Sequence, residues 1–207
     1  MLTFVSVETY KKVHKPSQLA LASIPVFFAV QQFAEGVVWL TAGNESYALA
    51  RAAGSYIFLV LAQVVWPILI PLSVWFLEKD ETRKKYLFWL LTLGEAVAAY
   101  YLYGLIFENG VNARIIGAHI VYKDTTPDLQ GAAGVLFYVI AAVAPLFVSS
   151  IKKSYIIGII MMLSFIASAV FYLKFLTSVW CFFAAIISFV VFYIISDAHK
   201  IFHRALK

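Results

Sequence analysis

Six long apolar runs constrain this chain more than any other feature of its sequence. Each is close to the roughly 20 residues that a helix needs to cross the hydrocarbon of a bilayer. Only two runs contain a charged residue, Glu35 in the first and Glu95 in the third. The runs extend over residues 18–42, 55–77, 86–107, 131–151, 154–173 and 175–196.

The composition leads to the same class of protein. Of the 207 residues, 63% are hydrophobic and 13% are charged, whereas soluble domains carry about 25% charged residues. A water-soluble fold of this size cannot bury so many apolar side chains, so lipid must solvate many of them. The sequence predicts an all-α integral membrane protein, a single bundle of about six transmembrane helices, and shows no nucleic-acid-binding motif.

The last two runs are separated only by Lys174. As one helix, residues 154–196 would extend for about 65 Å, twice the thickness of the hydrocarbon. The chain must therefore fold back. We expect the turn near Lys174, with Thr177 or Ser178 capping the final helix.

The basic residues predict the orientation of the bundle. Twelve of the 16 lysines and arginines fall in the two chain ends and in alternate loops, which the positive-inside rule assigns to the cytoplasm. We expect a multi-pass protein of the cell membrane with both ends inside. Its parts would be a cytoplasmic or interfacial segment (1–17), one transmembrane domain (18–197) and a basic cytoplasmic tail (198–207).

Five polar residues at similar depth are candidates for a ligand site. Glu35 shares the first helix with Gln31 and Gln32, while Gln63 lies on the second helix and Glu95 on the third. By the rise of a helix, all five lie between the midplane and the outer third of the bilayer. An ionisable group at this depth is expensive and marks a functional site by default. The depths predict a polar cluster inside the bundle that binds a cation, a proton or a small polar solute.

The outer loop at residues 109–130 is long for a simple connector. Residues 116–123 alternate weakly between apolar and polar, as a strand does. We expect His119 of this loop to roof the polar cluster, as a sixth ligand-binding candidate. On the second helix, Pro67 and Pro71 would free backbone carbonyls next to Gln63.

Three functions are compatible with these residues. The first is a transporter- or channel-like protein that uses the polar cluster. The second is a membrane sensor or accessory subunit without transport, in which the glutamines and protonated glutamates only join helices. The third is an intramembrane enzyme that uses Glu35 as general acid or base together with His119.

The expected partners follow from the same residues. They are the lipid bilayer and a small polar ligand or cation, and no nucleic acid. The sequence leaves open whether a second copy or another membrane subunit associates with the chain. The apolar runs contain no histidine, which argues against haem and zinc chemistry. No cofactor, metal site or catalytic residue is predicted.

Three segments carry a resemblance to a known family: QQFAEGVVW at residues 31–39, HIVY at 119–122 and SVWCFFAA at 178–185. With them, nearly the whole chain resembles an uncharacterised family of small bacterial multi-pass membrane proteins with six or seven helices. Members begin with an additional apolar segment. The resemblance therefore implies a seven-helix scaffold lacking its first helix, in a bacterial inner membrane, and it implies no activity.

Overall fold

The protein is described by a computed structural model over residues 1–107, 111–117, 119–123, 132–172 and 175–205. Within these residues the chain is mostly helical, with one antiparallel hairpin. The helices are α1 (Leu2–Tyr10), α2 (Leu19–Thr41), α3 (Ala48–Leu59), α4 (Trp66–Leu77), α5 (Glu81–Phe107), α6 (Ala132–Val148), α7 (Ser154–Phe171), α8 (Leu176–Ala184) and α9 (Ile187–Ala205). The hairpin strands are β1 (Asn112–Ile116) and β2 (His119–Lys123).

Several of these helices have the length and apolarity of membrane spans. Among the described residues, five helical segments are long and apolar enough to cross a bilayer, and α6 is a shorter apolar helix. The chain is therefore mostly helical, with helices apolar enough to span a membrane, as the sequence predicted. The five segments are Pro16–Thr41, Glu45–Leu77, Glu81–Phe107, Ser154–Phe171 and Leu176–Lys200.

Some helix boundaries differ from the predicted ones. The second and third helical segments begin earlier than the apolar runs, because polar residues occupy their first turns. Arg51 lies inside α3, where its guanidinium donates to the Thr41 carbonyl at 2.9 Å and to Glu45 at 3.1 Å. At the other end of the chain, α9 extends to Ala205 and includes most of the residues that the sequence assigns to the basic tail.

The predicted turn between the last two runs is present, but its capping is different. α7 ends at Phe171 and α8 begins at Leu176, on either side of Lys174, which lies outside the described residues. The N-cap is Phe175, without a side-chain hydrogen bond, so the expected capping by Thr177 or Ser178 is wrong. Both residues lie within α8, and the Ser178 hydroxyl donates to Glu35 instead.

The second helical segment widens next to its first proline. Residues Val60–Val65 between α3 and α4 form a π-helix, in which the Trp66 N–H donates to the Leu61 carbonyl five residues earlier. The same register would pair residue 67 with Ala62, but Pro67 has no N–H. The freed Ala62 carbonyl accepts a hydrogen bond from the Tyr138 hydroxyl at 2.5 Å. The predicted opening of this helix near Gln63 is therefore confirmed.

Close backbone contacts set the spacing of the central helices. A Cβ at Gly94 of α5 would lie 1.8 Å from the Pro67 carbonyl oxygen, and one at Gly54 of α3 would lie 2.9 Å from the Ala34 oxygen. Only glycine permits such approaches. These contacts hold α5 against α4 and α3 against α2, next to the polar residues.

The described part of the outer loop is a hairpin rather than one strand. Its register pairs Ile116 with His119, and Gly117 between them has a φ of +62°. That backbone conformation reverses the direction of the chain. The stretch 116–123 therefore belongs to two paired strands, whereas its alternation predicted one strand. The Tyr122 ring stacks on Phe58 of α3 with centroids 4.7 Å apart, which fixes the hairpin on the bundle.

At the opposite end of α4, a buried carboxylate ties two connections together. Glu78 accepts hydrogen bonds from the backbone N–H groups of Lys79, Asp80 and Ser150, and from the hydroxyls of Ser149 and Ser150. Burial alone would raise the pKa of Glu78, but these hydrogen bonds outweigh it and lower the pKa to about 2. The α4–α5 connection is thereby joined to the α6–α7 connection.

Candidate functional site

A cavity of about 360 Å³ lies between the hairpin, the π-helix and helices α5, α6 and α8. Of its 13 lining residues, five are aromatic, four are aliphatic and four are small or polar. Such a composition is typical of small-molecule sites, in which a few polar groups orient a ligand against apolar walls. The aromatic lining residues are Tyr101, Tyr122, Tyr138, Phe175 and Trp180, and the polar ones include Gln63, Thr177, Ser178 and Cys181.

Glu35 lies directly behind this wall. It is buried on α2, and its carboxyl oxygen accepts a hydrogen bond from the Ser178 hydroxyl at 2.5 Å. Ser178 itself lines the cavity. The carboxyl group is therefore one hydroxyl away from the cavity, and this hydrogen bond joins α2 to α8 across 143 positions of the sequence.

Gln31 and Gln32 differ in their surroundings. Gln31 is fully buried, and its side-chain oxygen accepts a hydrogen bond from the Trp66 indole at 2.8 Å. The Trp66 ring also stacks on Phe28 at 4.1 Å, so Gln31 is part of the contact between α2 and α4. Gln32 is half-buried, one turn before Glu35 on the same helix. This geometry favours a helix-packing role for Gln31.

Gln63 reaches the cavity because of the π-helix that contains it. Its side chain is buried and lines the cavity. The widened turn also supplies the Ala62 carbonyl to Tyr138, another lining residue. A π-helix inside an α-helical segment is often found at functional sites. Here it places a polar side chain and an aromatic ring on the same wall.

Glu95 does not join this cluster. Its side chain is exposed on the outer surface of α5, so the prediction that it lies inside the bundle is wrong. The preceding residue, Gly94, faces Pro67. Successive helical residues are about 100° apart around the axis, so Glu95 points away from α4.

The hairpin places His119 and Tyr122 over the bundle, as predicted for the outer loop. The partly buried His119 ring lies 5.1 Å from Tyr172 and 4.7 Å from Phe175, measured between centroids, and Phe175 lines the cavity. Burial and the nearby Glu35 carboxylate raise the pKa of the Tyr122 hydroxyl. Tyr122 therefore stays neutral at physiological pH and keeps its donor proton.

Several lining residues were not among the predicted site residues. Ser178, Trp180 and Cys181 belong to one of the segments that carry the family resemblance, whereas Tyr101 and Tyr138 are single tyrosines in apolar runs. In an aromatic-rich chain, nothing in the spacing of these tyrosines distinguishes them from lipid-facing ones. The SVWCFFAA segment was the one available signal for α8.

The cavity combines aromatic rings with a carboxyl group just behind its wall. Over the described ranges, no group of three His, Cys, Asp or Glu side chains lies together as a metal site requires. The faces of Tyr and Trp rings attract cations, and a carboxylate behind the wall adds negative charge. The Trp180 indole N–H, also on a lining residue, has no hydrogen-bond partner among the described residues.

Comparison with known proteins places almost the whole chain in one family. A model described as a family of unknown function (DUF6629) matches residues 1–205. No curated protein and no solved structure matches the chain. The resemblance to an uncharacterised family that covers nearly the whole chain is therefore confirmed.

Proposed function

Because the chain belongs to DUF6629, a family of unknown function, we propose its function from the site itself. It is an integral membrane protein of the transporter or channel type, and it binds a small cation or polar solute in the aromatic-lined cavity. The observation that carries this proposal is the hydrogen bond between Glu35 and Ser178, which connects a buried carboxyl group to the cavity wall.

The proposal includes six membrane crossings with both chain ends in the cytoplasm. The sixth crossing is α6, whose 17 residues extend for about 26 Å. This length is at the lower limit of known transmembrane helices. The distribution of basic residues supports the orientation, and the hairpin would then cover the outer end of the cavity.

The chemistry of the cavity favours a cation over an anion. A carboxylate in hydrocarbon must be neutralised by a proton or by a neighbouring positive charge. A positively charged ligand would also be attracted by the ring faces of Tyr101, Tyr138 and Trp180. The Ser178 oxygen could accept from an ammonium ligand or coordinate a metal cation while its hydroxyl proton stays on Glu35.

A thermal-shift screen of the purified protein tests this proposal. The probes are inorganic cations, tetramethylammonium and other organic ammonium ions, and neutral polar solutes such as glycerol. We expect the wild type to be stabilised by a cation, and Glu35→Gln to fold normally but lose that response. This substitution keeps the shape and hydrogen bonding of the side chain while removing its charge.

Glu95→Gln is the matched control, because it removes the other intramembrane carboxyl group from an exposed position. It should respond to the same cation as the wild type does. If Glu35→Gln responds as strongly as the wild type, or if both variants lose the response equally, the carboxyl group of Glu35 is not the ligand site.

One observation favours a second candidate, a membrane sensor or accessory subunit. In such a protein the polar residues would only join helices, and the hydrogen bond between Gln31 and Trp66 joins α2 to α4 in this way. Under this alternative, Glu35→Gln would leave every ligand response unchanged. No observation favours the enzyme: in the described part of the chain, no hydrogen bond joins Glu35 to His119, whose ring packs on Tyr172 and Phe175.

A further inference from the structure

A groove at the junction of α4 and α5 lies at the other end of the bundle from the cavity. It has a volume of about 470 Å³. Along the helical segment that leads into α4, Trp75 in this groove is about 18 Å from Gln63 in the cavity. The residues that line this α4–α5 groove are Trp75, Glu81, Lys84, Lys85, Phe88 and Trp89.

We propose that the α4–α5 groove binds the headgroup of an anionic phospholipid such as phosphatidylglycerol. The proposal goes beyond the cavity and its ligand, and it rests only on the insertion of the bundle in a membrane. The groove begins where α4 ends, at Leu77, and α5 begins, at Glu81, so it lies at the end of two membrane-length segments.

The two lysines are available to a phosphate. The Lys84 ammonium lies 5.3 Å from the centroid of the Trp75 ring, a cation–π contact that holds the side chain over the groove. In the part of the chain that the structure describes, the ion pairs involve Lys11, Arg51 and Lys153, and neither groove lysine.

The charged and apolar groups of the groove are arranged like the parts of a lipid, with the charges at one end and the apolar rings beyond them. Lys84 and Lys85 lie in the first turn and a half of α5, and the exposed Phe88 and Trp89 rings lie one turn further along, about 6 Å deeper. A phosphate beside the lysines would place its acyl chains along these rings. A free phosphate ion has no acyl chains and would not contact Phe88 and Trp89.

The net charge of the groove matches a single phosphodiester. The two lysines and Glu81 leave its lining with one net positive charge. Asp80 accepts a hydrogen bond from the Arg83 N–H at 2.8 Å, so this backbone donor in the first turn of α5 is not free for the phosphate. Basic pockets between helices at a membrane surface are known to hold anionic headgroups.

Native mass spectrometry of the full chain tests the proposal. The protein is exchanged from detergent into defined mixtures of dioleoylphosphatidylglycerol and dioleoylphosphatidylcholine, and retained lipid is counted. We expect the wild type to retain one phosphatidylglycerol in preference to phosphatidylcholine. A basic residue near an anionic surface contributes about fivefold in affinity, so Lys84→Gln with Lys85→Gln should lower the preference about 25-fold.

Two controls separate a specific groove from general surface charge. Lys152→Gln removes an exposed lysine from the α6–α7 connection and should leave the preference unchanged. Lys84→Arg keeps the charge and should also retain the preference for phosphatidylglycerol. Trp75→Leu should weaken this preference, because it removes the ring that contacts Lys84. Melting temperatures of all variants establish that they fold.

Three results would overturn the proposal. They are equal retention of the two lipids, a loss in Lys152→Gln as large as in the double variant, and displacement of the lipid by glycerol phosphate alone. The last result would indicate a site for a soluble phosphate. Glu35→Gln should keep the lipid preference, so a failure of the proposed function would be seen separately.

Discussion

Glu35 and Glu95 are two carboxyl groups for which the sequence predicts a similar depth in the bundle, and the fold places them in opposite surroundings. Glu35 is buried and accepts a hydrogen bond from Ser178, whereas Glu95 is exposed on the outside of α5. Depth along a helix follows from sequence position and the rise per residue. The direction around the helix axis depends on which face the neighbouring helices cover.

The buried face of α5 explains why Glu95 is exposed. Six of its eight buried residues recur at spacings of four and three, the pattern of a helix that packs along one seam. Glu95 lies beside this seam, next to the glycine that allows α4 to approach. The residues of the seam are Leu87, Leu91, Gly94, Ala98, Tyr101 and Leu105.

A third carboxyl group, Glu78, gives the largest expected effect. Its pKa is lowered to about 2 from the ordinary value of 4.5, so the folded state binds fewer protons than the unfolded state between these values. The stabilisation is therefore complete above about pH 4.5 and is lost as the pH falls toward 2. At neutral pH we expect Glu78→Gln to lower the free energy of unfolding by roughly 2–3 kcal/mol.

Unfolding of wild type and Glu78→Gln, measured over this pH range, checks the prediction. The difference between the two proteins should disappear toward pH 2. Glu81→Gln serves as the control, because Glu81 is an exposed carboxyl group three residues away, and it should change the stability little. A difference between wild type and Glu78→Gln that is the same at pH 7 and pH 2 would contradict the assignment.

The comparison between Glu35 and Glu95 is tested most directly by replacing each with leucine. Glu35→Leu leaves the half-buried Ser178 hydroxyl without its acceptor, and we expect a loss of about 1 kcal/mol, the low end of the cost of an unpaired polar group. Glu95→Leu removes a charge from an exposed surface of α5, which faces lipid in the proposed membrane protein, and should not lower the melting temperature. Melting curves of both variants in the same detergent give the comparison.

A double variant isolates the hydrogen bond. Adding Ser178→Ala to Glu35→Leu removes the stranded hydroxyl and should recover part of the lost stability. Equal melting temperatures for Glu35→Leu and Glu95→Leu would show that the two carboxyl groups do not differ in their surroundings as described.

The sequence predicted the apolar helices, the turn between α7 and α8 and the opening of the second helix at Pro67. These features follow from local rules of length, hydropathy and missing backbone donors, which a single sequence contains. The placement of Gln31, Glu35 and Gln63 inside the bundle also agreed with the prediction.

The sequence could not predict which face of α5 is buried, because that helix is apolar on nearly every side. In a lipid-solvated protein, apolar residues cover both the packed and the exposed faces, so hydropathy does not separate them. Ser178 escaped prediction for a related reason. Its position suggested a helix cap, and only the three-dimensional contact with α2 reveals a partner 143 positions away.

The smallest expected effect on stability comes from a pair of tyrosines, one buried and one exposed, like the two glutamates. The Tyr138 hydroxyl donates to the Ala62 carbonyl inside the bundle, while Tyr103 is exposed on α5. Hydrogen bonds between membrane helices contribute about 0.6 kcal/mol on average. Tyr138→Phe should lower the free energy of unfolding by about this amount, since only the hydroxyl is removed, and Tyr103→Phe should leave it unchanged. Because Tyr138 also lines the cavity, only Tyr138→Phe should alter the affinity for a stabilising cation. An equal response of the two variants, in stability and in affinity, would remove the π-helix and its tyrosine from the proposed site.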